Sequence, residues 1–281
     1  MGVTSIEWTD HSVNPIRARH KKTGKTGHYC EKIANGCANC YSSRMQPRFG
    51  VPPFGSGQFL EDFNIFLDES KLAEVRRRRK PTKYFWCDMT DIFGDWMTPE
   101  LLNPCFETMD ATPQHTHILL TKRPQNIRRM WKDDKVPWRA TGRWHRDNVW
   151  LLTSISDQKS ADAMIPSLLQ CRDLSPVLGV SAEPLLDAVD LSCVTRSDGW
   201  IIDALRGHWT TEAEIGVDSF EMGQMEQGPS LDWVVVGGES GPKARPCDVS
   251  WIRSLVGQCR DADVPCFVKQ LGSRCVIKHA G

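Results

Sequence analysis

The chain has 281 residues, enough for one large domain or two small ones. Its 35 basic and 35 acidic residues cancel, so no overall field draws it onto a polyanion and any contact with nucleic acid has to be local. Eleven cysteines, an odd number, with no signal-peptide pattern at Met1 to Trp8 and no window apolar enough to span a bilayer, exclude a secreted disulfide scaffold and a membrane protein. The expectation is a cytoplasmic protein with reduced thiols.

Ile6, Trp8 and Asp10, followed by Val13-Asn14-Pro15, predict a short strand ended by the proline. Residues 16–29 hold Arg17, Arg19, His20, Lys21, Lys22, Lys25 and His28 with glycines and no periodicity. That composition predicts a loop, either simply solvated or contacting phosphates. Then come Cys30, Cys37 and Cys40, three thiols within eleven residues. Structural zinc sites close at four ligands, whereas three thiolates suit a four-iron cluster whose fourth iron is open to a small chelating molecule. A zinc knuckle completed by His20, His28 or Cys87 competes, and spacing alone does not separate the two. Tyr41 to Met45 reads as the first turns of a helix, whose N-terminus favours negative charge. Residues 50–58, rich in glycine and proline, read as a loop.

Lys71 to Lys80 predicts a helix ending in Arg76-Arg77-Arg78-Arg79-Lys80, a solvated face or a nucleic-acid contact. From there the chain alternates. Apolar runs at 84–87, 117–120, 149–152, 177–180, 233–236 and 266–268 predict strands, and residues 99–110, 125–132, 158–171 and 248–262 predict helices. Buried-type strands separated by helices indicate a parallel sheet. The fold class is therefore α/β, a TIM-type (β/α) barrel or open partial barrel in one domain over 1–281. A lid-like insertion at 192–230, carrying Trp200 and Trp209, interrupts it.

Each strand hands over to polar or glycine-rich residues, the place where barrel enzymes carry their chemistry. Asp88 and Asp91 follow the first strand after the cysteines, as site carboxylates or as helix caps. Lys122 and Arg123 follow the next, and Lys269 and Gln270 the last; they form a solvated rim or hold an anionic ligand. Ser154 and Ser156 share one face of a strand end that closes on Asp157. Glu183, after an apolar run, needs a cationic or hydroxyl partner if it is buried. Gly237-Gly238 before Glu239 allows close approach of the backbone to a ligand. Cys87 and Cys247 lie near strand ends, while the other late cysteines sit in core patterns.

Trp8-Thr-Asp10, Asn14-Pro15, the cysteine motif with Tyr41, Met89-Thr-Asp91, Ala111-Thr-Pro-Gln114 and Leu120-Thr-Lys-Arg-Pro124 resemble one family in order. Glu183-Pro-Leu-Leu186, Gly237-Gly-Glu-Ser-Gly241, Ala244-Arg-Pro246 and Lys269-Gln270 continue the likeness. The family is the phage-associated three-Cys-motif proteins, similar to radical S-adenosylmethionine (SAM) enzymes. Two departures from the commonest radical SAM motif stand out. Six residues, not three, separate the first two cysteines, and Asn39 takes the place of an aromatic before the third, with Tyr41 on its other side.

The resemblance implies a four-iron four-sulfur cluster on Cys30, Cys37 and Cys40. It implies SAM contacts from Asn39, Tyr41, Asp88, Asp91, Ser154, Ser156, Glu183, Gly237, Gly238 and Glu239. Cys87 and Glu183 are the catalytic candidates, and Lys122, Arg123, Asp157, Lys269 and Gln270 the substrate candidates. An electron donor such as flavodoxin or ferredoxin is the implied partner. The implied substrate is a modified pyrimidine base or nucleotide, rearranged in phage DNA hypermodification. The competing class is a non-catalytic nucleic-acid-binding phage protein stabilised by zinc or an iron–sulfur group.

Overall fold

A computed structural model describes residues 6–55, 58–132, 145–211 and 226–277. The chain falls into two compact units, Met1–Leu151 with Asp173–Pro176, and Leu152–Arg172 with Val177–Gly281.

In the first unit, β1 (His11–Val13) is followed by β2 (Ile16–His20), β3 (Thr26–Gly27), α1 (Tyr41–Met45), β4 (Phe63–Leu67) and α2 (Glu69–Arg77). Then come β5 (Lys83–Trp86), α3 (Pro99–Asp110), β6 (Thr116–Thr121), α4 (Pro124–Lys132) and the start of β7 (Val149–Ile155), whose residues 152–155 belong to the second unit. The second unit continues with α5 (Gln158–Leu169), β8 (Val177–Ala182), β9 (Val194–Thr195), β10 (Trp200–Asp203), β11 (His208–Thr211) and β12 (Glu226–Gln227). It ends with β13 (Trp233–Gly237), β14 (Cys247–Asp248), α6 (Val249–Asp261), β15 (Cys266–Gln270) and β16 (Cys275–Val276).

β1, β5, β6, β7, β8, β13 and β15 form a seven-stranded parallel sheet in that order, with β1 and β15 as its edges. One strand precedes the cysteines and six follow, as the alternation of apolar runs and helices predicts. Strand order equals chain order because each crossover places the next strand beside the last. The buried runs are largely apolar: Tyr84, Phe85 and Trp86 in β5, and Ile118 and Leu119 in β6, where His117 and Thr121 are buried as well. α3 begins with Pro99, whose missing N–H costs nothing at a helix start, and buries Leu101, Leu102, Cys105, Phe106 and Met109.

Residues 16–29 are not a plain loop. β2 pairs antiparallel with β3 and with β4 in a three-stranded sheet. Ile16 and Ala18 are buried, and the alternate residues Arg17 and Arg19 take the opposite face, Arg19 standing 5.1 Å over the Phe66 ring. The insertion folds as a four-stranded antiparallel sheet in the order β12-β11-β10-β9. Its residues 212–225, and residues 56–57 of the loop expected at 50–58, lie outside the described residues. α2 ends within the basic run, at Arg77 and not at Lys80; Arg76, Arg77, Arg79 and Lys80 are exposed, while Arg78 donates to Thr82 Oγ1 at 2.8 Å.

One polar chain is sealed in the first unit's core. Trp86 Nε1 donates to His117 Nδ1 at 2.9 Å, so that nitrogen is an acceptor and His117 is neutral with its proton on Nε2. Nε2 then donates to Thr112 Oγ1 at 3.0 Å, and Thr112 donates to the Thr108 carbonyl at 2.7 Å. Burial, helped by neighbouring His115, lowers the His117 pKa to about 3.

The unfolded chain takes up a proton near pH 6.5 and the folded chain does not, so stability falls as pH drops from about 6.5 toward the folded pKa. This one group is expected to cost about 2 kcal/mol between pH 7 and pH 5. Urea unfolding at the two pH values checks it. A His117→Gln variant should show a correspondingly smaller loss, and an equal loss in both proteins would contradict the assignment.

Candidate functional site

In the first unit, the residues on both sides of Cys30 are anchored. Tyr29 is buried with its ring edge-on to Trp96 at 5.0 Å, and its hydroxyl donates to Glu31 Oε1 at 2.9 Å. Cys37 ends a 3-10 turn, its N–H donating to the Ala34 carbonyl at 2.9 Å. Cys40 N–H donates to the Cys37 carbonyl at 3.3 Å, and Cys40 is the N-cap residue of α1.

All three thiols are free and half-buried. Burial pushes the Cys30 thiol well up; Asp91, Cys40 and Cys37 add to this, and Arg123 opposes it. Cys37 and Cys40 are thus near enough to Cys30 for their charge to act on it. Among the described residues, however, no three His, Cys, Asp or Glu side chains are placed to hold one metal ion. Each histidine offered as a zinc ligand has one ring nitrogen bonded within the protein. His28 is buried with Nδ1 bonded to the Ile16 carbonyl at 3.1 Å, His20 Nδ1 accepts from Thr23 N–H at 3.3 Å, and Cys87 is buried with its thiol pushed well up. Thiolates that each take a different iron of a cluster do not have to meet at one point. Three free thiols in one loop are the donor type that iron–sulfur groups take.

The carboxylates beside the cysteines are already occupied. Asp88 accepts from the Tyr41 hydroxyl, at 2.9 Å on Oδ2, and from the Asn14 amide on Oδ1. Asp91 Oδ1 accepts from Phe93 N–H at 3.0 Å and Thr121 Oγ1 at 2.7 Å, and its Oδ2 accepts from Lys122 N–H at 3.1 Å. Arg123, read from the sequence as a rim or substrate cation, is buried against Asp91 and Glu31. Lys122 is half-buried. Asn39 lies in the cysteine loop.

In the second unit, Glu183 has the partners its burial requires. Lys269 Nζ stands 3.2 Å from Oε1, and Ser181 Oγ donates to Oε2 at 3.3 Å. The peptide bond from Glu183 to Pro184 is cis. Ser154 Oγ donates to the Glu183 carbonyl at 3.1 Å, while the buried Ser156 hydroxyl has no partner among the described residues. The glycines answer to protein neighbours. A Cβ on Gly237 would stand 2.7 Å from Glu183 Oε1, and one on Gly238 would stand 2.4 Å from the Leu271 carbonyl oxygen. Glu239 is buried, accepting from Arg245 N–H at 2.8 Å and from its guanidinium at 2.6 and 3.0 Å. Gln270 shares in the ladder, its carbonyl accepting from Gly238 N–H at 3.0 Å.

Asp157 is a helix cap. It accepts from Ser160 N–H at 2.8 Å, and its own N–H donates to Ser160 Oγ at 3.1 Å, a capping box that starts α5.

A family model described as "Protein of unknown function (DUF5131)" matches residues 3–280. The chain belongs to the DUF5131 family. Comparison of this DUF5131 protein with curated proteins and with solved structures gave no match. Two DUF5131 site features escaped the sequence reading: the Glu31–Arg123 pair and the Glu239–Arg245 pair. Glu31 beside Cys30 and Arg245 within Ala244-Arg-Pro246 were the available signals. Among the described residues, no helix is long and apolar enough to cross a membrane.

Proposed function

We propose that this protein is a radical SAM enzyme whose four-iron cluster is held by Cys30, Cys37 and Cys40. The observation that carries the reading is three free, half-buried thiols gathered in one loop, with Cys37 and Cys40 both near Cys30. With cluster and SAM bound, the pair supplies one-electron cleavage of the sulfonium and so a means of taking hydrogen from an unactivated C–H bond.

This chain's part is to hold and shield. The half-buried loop limits access of water to the thiols, and Tyr41, pinned through its hydroxyl to Asp88, offers an aromatic face directly after Cys40. Ser156 keeps a buried hydroxyl ready for a ligand. The substrate we favour is a modified pyrimidine, free or in DNA, with electrons from a flavodoxin- or ferredoxin-type donor.

Anaerobic reconstitution with iron and sulfide, followed by iron analysis and electron paramagnetic resonance with and without SAM, tests the reading. About four irons per chain, a spectrum that changes with SAM and release of 5′-deoxyadenosine are expected. One zinc and no iron would overturn it.

A second reading has its own observation, the β2–β3 hairpin. Arg17 and Arg19 share its outer face, with Lys21, Lys22 and Lys25 exposed at its tip. On that reading the protein is a metal-stabilised nucleic-acid binder without catalysis, and 5′-deoxyadenosine never forms. Polymer binding requires an affinity that falls steeply as salt rises. DNA binding absent at low salt, or insensitive to salt, removes the polymer and leaves a small-molecule substrate.

A further inference from the structure

The guanidinium of Arg123 faces three carboxylates and an aromatic ring. Its side chain is only 4 % exposed. Nη2 stands 3.0 Å from Glu31 Oε2, Nη1 stands 3.5 Å from Asp91 Oδ2, and Nε stands 3.6 Å from Asp95 Oδ2. The plane lies over the Trp96 ring at 5.0 Å from its centre. Its backbone is fixed too, since Arg123 N–H donates to Thr121 Oγ1 at 2.8 Å and its carbonyl accepts from Asn126 N–H at 2.9 Å.

Three carboxylates from two segments, Glu31 beside Cys30 and Asp91 and Asp95 in the loop between β5 and α3, meet one planar fork, an arrangement that a lysine's point charge cannot copy. Only one of the three belongs to the cysteine loop. Glu31 follows Cys30 directly and is clasped from both sides, by the Tyr29 hydroxyl on Oε1 and by Arg123 on Oε2. The same Trp96 ring supports both clasps, edge-on to Tyr29 and beneath Arg123.

We propose that Arg123 is the positioning residue of the thiol loop: through Glu31 it sets where Cys30 stands relative to the end of β6. The proposal rests on the reading of the three thiols as ligands, and it assigns Arg123 no contact with substrate. Asp95 offers an internal control. It also faces Arg123, but it is outside the loop and has Arg129 and Asn126 as further partners.

The test compares wild type, Glu31→Gln, Arg123→Gln and Asp95→Asn. In metal-free protein, hydrogen–deuterium exchange of the peptide covering 30–40 is measured. In iron-loaded protein, the readouts are the rate of iron loss to a ferrous chelator and the paramagnetic resonance spectrum. Glu31→Gln and Arg123→Gln should each speed exchange and iron loss roughly tenfold and alter the spectrum, the loss of one charge-assisted bond being worth about that factor. Asp95→Asn should match wild type.

Glu31 is 43 % exposed on its side chain, so Glu31→Gln should keep the wild-type urea midpoint even if Arg123→Gln does not fold. Exchange in Glu31→Gln equal to wild type overturns the proposal. Wild type that holds no iron sinks the proposed function instead, and exchange still decides the role of Arg123.

Discussion

Cys37→Ser is expected to abolish iron retention and lower 5′-deoxyadenosine release to that of a protein-free control, while the chain stays folded. The reason is local. Cys37 closes its turn through its backbone N–H, which serine keeps, and its side chain is half-buried in a loop and not in either core. Serine is a close match in size but a poor ligand for iron, because soft thiolate is what the metal selects. Circular dichroism and a urea titration on metal-free wild type and variant should coincide. A structural zinc knuckle predicts the opposite, an unfolded variant, since such sites supply the folding energy themselves.

Asp91→Ala is expected to be the most destabilising single change at the site, by about 3–5 kcal/mol. The carboxylate accepts from two backbone N–H groups, Phe93 and Lys122, and from the Thr121 hydroxyl, and it balances part of the Arg123 charge. Alanine leaves these buried donors without an acceptor. Equilibrium unfolding in urea measures the loss, and a shift below about 1 kcal/mol would show that water replaces the carboxylate. Asp91→Asn keeps the shape and one oxygen, and should lose less.

The seven-stranded sheet was legible because each of its strands carries a short apolar run and a helix or loop separates it from the next. α3 was legible to its ends because proline marks its start and its buried face repeats at helical spacing. The β2–β3 hairpin was not. Its buried residues, Ile16 and Ala18, are too few and too small to signal a strand among five cations. The thiols were legible from spacing, whereas the Glu31–Arg123 pair joins residues 92 apart and no local pattern records it. Asp157 carries a signal that the sequence reading did not use: Asp-x-x-Ser before an apolar run is a helix start, and the capping box of α5 is formed on it. Gly237 and Gly238 looked like room for a ligand because sequence does not reveal the carboxylate and the carbonyl that come to lie against them.

The tryptophans of the insertion are already occupied. Trp200 and Trp209 meet edge-to-face with ring centres 6.3 Å apart, and Arg196 stands 6.0 Å from the first ring and 5.4 Å from the second, paired with Asp198. A nucleobase seeking either ring therefore competes with an internal rival that has the same appetite for aromatic faces. The affinity it shows is a difference between two stackings, and shortening Arg196, not adding another aromatic, is the change that would open the platform.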